Sequence, residues 1–473
     1  MAVEYRTEQG GADTIRGLSG AREPIGVFKV SRPNDMNAAA DTAGERPRVV
    51  IVGGGFGGLQ AAKALSRVPV EITLVDRENH HCFQPLLYQV ASASLSPADV
   101  AWPIRAVLSR QRNVRVVMAE ATGIDRKRRA VTTASGLSYP FDYLILASGV
   151  THSYFGHDEW AAAAPGLKRI EDAIEIRNRI LLAFERAETE ENEAERSRLL
   201  SFVIVGGGPT GVEMAGAIAD TARFALSRDF RKIDPGAAHI MLIEAGPRLL
   251  PAFPEPLAQY AEHSLRRMGV AVLTATRVTA CHADGVTTET GAIPTATIVW
   301  AAGIQASPAG QWLGAGQDNA GRINVAGDLS VPGEPDIFAI GDTAHVLDPA
   351  GQPVPGIAPA AKQMGEYVAR VIAARVARSV VPGAFAYRHR GDLATIGRKS
   401  AIVWLGKFRL TGFAAWLFWC FIHIYYLIGA RNRMSVALSW IWDYVTFQRG
   451  ARLIYERELR RPDEAPEGGR APS

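Results

Sequence analysis

The residues with the clearest chemical purpose are two sets of glycines, "GGGFGG" at 53–58 and "GGGPTG" at 206–211. Gly53, Gly55 and Gly58 satisfy the spacing G-x-G-x-x-G, and Gly206, Gly208 and Gly211 satisfy it again. In that spacing the first glycine permits a tight turn and the second lets backbone approach a pyrophosphate. The third lets a helix pack closely on its strand. The pyrophosphate then rests on the amides at the start of that helix. An acid placed to bind ribose follows each set: Asp76 lies eighteen residues beyond Gly58, and Glu244 lies 33 beyond Gly211. The simple unit expects roughly 20 residues there, and the stretch "RFALSRDFRKIDPG" absorbs the excess in the second. Glu244 repels a 2′-phosphate and so favours NADH over NADPH, while Arg248 nearby pulls the other way. Two such sites in one chain suit a resident FAD and an exchanging NADH that delivers hydride to it. Two structural units, one of them empty, are the alternative.

The elements that must position these residues are legible around them. "RVVIV" and "SFVIV" are short apolar runs that break into glycines and then into helical patterns. "VEITLVD" and "HIMLIE" alternate as strands and end on the acids. The fold class is therefore α/β, with two Rossmann-like dinucleotide-binding units.

Composition narrows the partners. The chain has 473 residues, enough for two or three domains, and a net charge of 52 − 48 = +4. That excess argues for no nucleic acid. Basic residues cluster late, eleven against three acids from Arg398 to Arg461, beside the aromatic tract "TGFAAWLFWCFIHIYYLIGA" at 411–430. Such a patch suits an anionic membrane surface, with an ordinary solvated face as the alternative. As one helix the tract would reach about 30 Å, the thickness of a bilayer core. Its basic flanks are symmetric, Lys407 and Arg409 before it and Arg431 and Arg433 after it, which counts against crossing. The next segment, Met434 to Phe447, is too short to span, so both segments are expected to lie at the interface. A second copy of the chain, giving a homodimer through this C-terminal region, is the other occupant for part of the tract. Cys82, Cys281 and Cys420 are far apart in sequence, with neither CxxC nor zinc spacing, so no metal is expected and a reducing compartment fits. Residues 1–46 are polar and read as a disordered extension, with Met36 an alternative start.

At this point the chain resembles the two-dinucleotide-binding flavoproteins, and within them the type II (non-proton-pumping) NADH:quinone oxidoreductases. The resemblance runs from about residue 47 to 461. It is carried by "IVGGGFGGL", "VDRENHHCFQPLLYQVA", "FDYLILASG", "VGGGPTGVEMAG", "IVWAAG", "IFAIGDTA" and "GDLATIGR", in the family's order. It implies an FAD domain split into 47–158 and 326–383, with the NADH domain, 159–325, inserted between. Residues 384–461 would form a C-terminal membrane-anchoring helical region, and 462–473 a disordered tail. The protein would then be a peripheral, monotopic membrane protein on the cytoplasmic face of the inner or plasma membrane.

The resemblance also carries site residues. Gly53, Gly55, Phe56, Gly58, Asp76, Gln84, Ser148, Gly149, Gly341, Asp342 and Lys362 would contact FAD. Gly206, Gly208, Pro209, Thr210, Gly211, Glu244, Ala302 and Gly303 would contact NADH. The family's A-Q-x-A-x-Q segment appears as "APAAKQ", where Gln363 is kept as the polar contact for quinone and Pro359 replaces the first glutamine as a wall of the pocket. Glu213 matches the family's glutamate near the flavin; it handles protons or, in the alternative, orients its helix and the nicotinamide. His80 and His81 have local hydrogen-bonding roles near FAD. Electrons that reach the flavin need an exit. Cys82 stands alone after the first dinucleotide unit, which excludes thiol–disulfide exchange, and haem and iron–sulfur spacings are missing. A lipid-soluble quinone remains as acceptor. A related quinone- or ferredoxin-linked flavin reductase and a membrane-docked redox-sensing flavoprotein are the competing readings.

Overall fold

The computed structural model describes residues 46–227, 229–446 and 451–454. The expected N-terminal extension, apart from Arg46, and the expected tail at 462–473 lie outside them. Val49–Val52 are buried on both faces, as the centre of a parallel sheet requires. They sit in a six-stranded sheet whose order is Ser330–Val331, Glu334–Ala339, Tyr143–Leu146, Arg48–Val52, Glu71–Asp76 and Val114–Met118. Every pairing in it is parallel except the edge pair of Ser330–Val331 with Glu334–Ala339. Two stretches far apart in sequence therefore complete one sheet. Between them lies a second, all-parallel sheet, ordered Val270–Leu273, His239–Ile243, Ser201–Val205 and Thr297–Trp300.

An antiparallel ribbon, Val150–His152 with Ile304–Ala306, joins the two sheet regions just after the "ASG" and "AAG" turns. The long gap before Glu244 is explained by the helix Pro209–Asp220, which runs on into a wide turn over Thr221–Ala225 before the chain reaches strand His239–Ile243. Helix Ala358–Val376 crosses helix Phe56–Ala64 at very short range: a Cβ on Gly365 would lie 2.3 Å from the Gly57 carbonyl.

Residues 384–461 are not uniform. Asp392–Thr395, Ala401–Leu405 and Phe408–Thr411 form a three-stranded antiparallel sheet. It packs on helix Pro209–Asp220, with a Cβ on Gly216 only 2.8 Å from the Gly397 amide. The aromatic tract gives helix Gly412–Tyr426 and breaks at Leu427–Gly429, where Gly429 has φ +88°; the next segment forms helix Ala430–Thr446. Fifteen residues reach only about 22 Å. Among the described residues no helix is long and apolar enough to cross a membrane. The two helices, called the platform here, are tied to the body by Trp419, Leu427 and Val436, all buried. Asn432 Nδ2 donates to the Ala98 and Ala101 carbonyls, both at 3.2 Å, and Ser435 Oγ donates to Asp99 at 2.7 Å.

Candidate functional site: two matched nucleotide cradles and a platform

The two glycine turns have nearly the same geometry. Gly53 and Gly206 take φ +105° and +113°, a region open to glycine. A Cβ on Gly58 would lie 1.9 Å from the Gly53 carbonyl, and one on Gly211 1.8 Å from the Gly206 carbonyl. Each turn also presses on the end of a neighbouring strand. A Cβ on Gly53 would sit 2.2 Å from the Ala147 oxygen, and one on Gly206 2.6 Å from that of Ala301. The middle position behaves oppositely: a Cβ on Gly55 or Gly208 meets nothing within 4 Å. These two glycines cap their helices without any side-chain bond to the first amides. Open space before uncapped helix amides fits a pyrophosphate at both sites.

The acids brace the turns from below. Asp76 accepts from the Gly54 amide at 2.5 Å and the Glu78 amide at 2.7 Å; Glu244 accepts from the Gly207 and Gly246 amides, both at 2.6 Å. Burial pushes the Asp76 carboxyl up, and the two amides and Arg77 pull it down. Each carboxylate oxygen keeps a lone pair that a ribose hydroxyl can use. Replacing Glu244 with serine removes the charge expected to repel a 2′-phosphate. The ratio of kcat/KM for NADPH over NADH is expected to rise about tenfold or more. Steady-state kinetics with both coenzymes checks this, and an unchanged ratio would place the coenzyme's ribose elsewhere.

Several expected FAD residues gather beside the first turn. Phe56, the first residue of its helix, meets His81 edge-on at 4.9 Å and Phe83 at 5.8 Å. His81 Nδ1 lies 3.0 Å from the Gly54 carbonyl, so that nitrogen carries the proton and donates. Burial lowers its pKa to about 4, and its Nε2 is buried without a protein partner. The Gly149 amide donates to Thr343 Oγ1 at 2.8 Å, and Ser148 Oγ lies 2.6 Å from Ser307 Oγ. Gly341 has φ +63° and opens the turn that holds Asp342. Burial pushes the Asp342 carboxyl up, opposed by the cations Lys168 and Arg322, and burial likewise pushes the Lys168 amine down. Gln84 Nε2 donates to the Lys168 carbonyl at 3.2 Å, which brings Gln84, Lys168 and Asp342 into one neighbourhood. Nothing in "GLKRI" singles out Lys168 in the sequence, because its partners arrive from other parts of the chain.

On the nicotinamide side, Pro209 and Thr210 open the helix after Gly208, and Gly303 has φ +107°. The Phe155 ring fills the space where a Gly303 side chain would stand, with a Cβ only 2.6 Å from the ring edge. Phe155 itself has φ +54° and is 68% exposed, a bulky residue held in a conformation it rarely adopts. No sequence pattern announces it. Glu213 lies one turn into the same helix, where its carboxylate accepts from the Thr395 amide at 3.4 Å. Desolvation raises its pKa to about 8, and that single amide offsets it only in part.

The platform closes over the FAD side. Lys362 Nζ sits between two rings, 5.5 Å from the centre of Phe56 and 4.9 Å from that of Tyr426. Burial lowers the Lys362 pKa, and Lys63 adds to it. Pro359 is the second residue of helix Ala358–Val376. Gln363 is one turn further on, but both ends of its amide engage Arg388: Nε2 donates to the carbonyl and Oε1 accepts from the amide, each at 3.0 Å. The polar side chain beside the aromatic rings is thus Lys362. The three thiols are unpaired, and burial pushes Cys82 and Cys420 up to about 12 and Cys281 up to about 11. None is poised as a thiolate.

The family described as pyridine nucleotide-disulphide oxidoreductase matches residues 47–365. The type II NADH:quinone oxidoreductase Ndh of Mycobacterium tuberculosis is 42% identical over 427 residues, covering 87% of this chain and 91% of that protein. A second type II enzyme of the same organism, NdhA, is 43% identical and covers 88% and 92%. The chain belongs to the type II NADH:quinone oxidoreductase family. Among solved structures, NDH2 of Plasmodium falciparum in complex with NADH superposes with a TM-score of 0.78 at 21% identity, covering 86% of this chain and 99% of that one. That likeness is one of fold. As a type II family member, the chain pairs its two cradles with unpaired, protonated thiols, although the wider family's name refers to disulphide chemistry.

Proposed function

We infer that the protein transfers two electrons from NADH, by way of FAD, to a membrane quinone without pumping protons. The observation that carries this reading is the pair of matched cradles combined with a platform whose Tyr426 reaches Lys362 beside the first cradle. Bound FAD supplies the redox chemistry, taking up hydride from NADH and passing electrons on. The chain's own residues bind, orient and handle protons. The amides after Gly55 and Gly208 take the pyrophosphates, and Asp76 and Glu244 take the ribose hydroxyls. Lys362, between the Phe56 and Tyr426 rings, would supply a cation to a quinone oxygen bound there, with Pro359 and the Gln363–Arg388 pair as the wall nearby, and Glu213 would return a proton. The decisive experiment bleaches the purified holoenzyme with NADH in the absence of oxygen and then adds a short-chain quinone. Rapid return of the oxidised flavin spectrum is expected; a spectrum that stays bleached would remove quinone as acceptor.

The platform serves as the contact with lipid. Phe413, Leu417, Phe421 and Tyr425 are exposed at intervals of four on the first helix. Met434, Leu438, Ile441 and Val445 are exposed at three and four on the second. Each set is one stripe on a helix. Lys407, Arg409 and Arg431 border them with charge suited to lipid phosphates. The protein accordingly sits as a peripheral protein on the cytoplasmic face, where NADH is available. Leu417→Ser combined with Ile441→Ser is expected to move most of the protein from the membrane to the soluble fraction. Wild type should stay bound in 1 M salt, because apolar insertion is not screened. Sedimentation with vesicles measures both. A second copy of the chain on this face is the competing occupant. It would appear as a dimer that the same double variant dissociates while vesicle binding persists.

A further inference from the structure

One cavity in the body is not explained by nucleotide binding. It lies between helix Leu87–Ala91, the far end of helix Pro209–Asp220, strand Asp392–Thr395 and the platform. Tyr88, Gln89, Ser92, Thr395, Cys420 and Trp440 are in its wall. Ala217 and Asp220 line it too; they follow Glu213 by four and seven residues and so share its face of the helix. A run of polar contacts leads from the cavity toward Glu213. Trp440 Nε1 donates to Gln89 Oε1 at 2.7 Å, and Gln89 Nε2 donates to the Tyr88 oxygen at 2.9 Å. Tyr88 OH lies 3.3 Å from Thr395 Oγ1, and the amide of Thr395 holds the Glu213 carboxylate. Either oxygen of the Tyr88–Thr395 pair can be the donor; when Tyr88 donates, Gln89 takes one of its lone pairs and the second is left for water.

The stoichiometry of the reaction asks for such a route. NADH + H⁺ + quinone gives NAD⁺ + hydroquinone, so hydride brings one hydrogen nucleus and both electrons, and water must supply one more proton. We propose that Tyr88 and Thr395 are a hydroxyl relay that carries this proton from the cavity to Glu213, held in line by Gln89 and Trp440 as positioning residues. In one concerted shift a hydronium ion at the cavity gives its proton to the Tyr88 oxygen and leaves as water, Tyr88 passes its own proton to Thr395 Oγ1, and Thr395 passes its own, across one water, to the Glu213 carboxylate. No electrons move, and both hydroxyls end neutral with one proton exchanged. Glu213 becomes a carboxylate again when the proton passes on toward quinone. The charged and titratable groups that face the route are Asp220 from its helix, Arg398 after the strand, and Cys420 and Asp443 from the platform. The relay rests on the proton-handling role of Glu213 given above.

The test uses the FAD-loaded protein with Tyr88→Phe, Thr395→Val and Thr395→Ser. Quinone-driven reoxidation, and proton uptake followed with an indicator dye, are expected to slow about tenfold in Tyr88→Phe and Thr395→Val. Thr395→Ser, which keeps the hydroxyl, should recover most of the rate. A readout independent of turnover is the exchange of the Glu213 carboxyl proton for deuterium, followed by its infrared band after transfer to D2O. That exchange should slow in the same two variants. Native rates of uptake and exchange in both would overturn the relay. If Tyr88→Phe fails to hold FAD, the contrast between Thr395→Val and Thr395→Ser decides alone. A wild-type flavin that quinone does not reoxidise would instead sink the proposed function, so the two failures are distinct.

Discussion

In Glu213→Gln, NADH is expected to bleach the flavin with little change, while quinone should reoxidise it about a hundredfold more slowly. The expectation follows from desolvation, which holds the Glu213 carboxyl near pH 8 against a single amide donor. At neutral pH the group is protonated and can give up a proton; above about pH 8 it is ionised. Native reoxidation should therefore decline as pH rises through 8, and the glutamine variant should be flat there. Stability moves with the same group. Its folded pKa is raised, so the folded state binds more protons than the unfolded one between the ordinary value of 4.5 and about 8. The contribution of this group to native stability falls as pH rises across that window, and Glu213→Gln removes that share of the slope. Stopped-flow traces at several pH values separate the two roles open to this residue. A variant with a raised KM for NADH and unaltered reoxidation would make Glu213 an orienting residue for the nicotinamide.

The second large effect comes from valine at Gly58 compared with valine at Gly55. At Gly58 the new Cβ would lie 1.9 Å from the Gly53 carbonyl, and neither backbone segment can give way without moving the strand or the helix. That variant is expected to lose its cooperative melt and to accumulate as insoluble protein. At Gly55 the backbone is at φ −68° and ψ −166°, which any residue adopts, and the added branch enters open space. The chain should fold, but the branch stands where the pyrophosphate belongs. FAD affinity should fall about a hundredfold or more, roughly 2.7 kcal/mol. The flavin-to-protein ratio after gel filtration, together with melting curves with and without added FAD, checks both. Stoichiometric FAD in Gly55→Val would show that the dinucleotide does not lie across this turn.

The contrast between those glycines also explains what sequence reading reaches. Backbone constraints are local and severe, so the roles of Gly53, Gly58, Gly206 and Gly211 follow from spacing alone, as does the order strand, turn, helix, strand, acid. The role expected of Asp342 rests on a motif that follows "IFAI" in the family's order. Lys168 and Phe155 are not recognisable in the sequence, because each acquires its meaning from partners brought by other segments. The stretch before the aromatic tract is a similar case. It belongs to the 384–461 region expected to be helical and membrane-anchoring, but Ile402 and Val403 are buried in a small sheet on the helix that carries Glu213. The break at Leu427–Gly429, where Gly429 has a positive φ, ends the helix of the tract at Tyr426, so that a stretch of spanning length gives a helix of fifteen residues. Gln363 keeps its place in the sequence, while Arg388, from 25 residues away, occupies its amide.

The ribbon of Val150–His152 against Ile304–Ala306 has a consequence for how the chain is assembled. Strand Tyr143–Leu146 cannot gain its neighbour Glu334–Ala339 until everything between them has been made. That delay would leave a hydrophobic strand edge waiting on the ribosome. The ribbon brings the two ends of the intervening segment side by side, so the host sheet closes across a short effective loop. Even without it, each doubling of a flexible loop costs only about 0.6 kcal/mol. Synthesis order sets the rest: Glu334–Ala339 is the last strand of that sheet to be made, and it joins the edge that Tyr143–Leu146 presents.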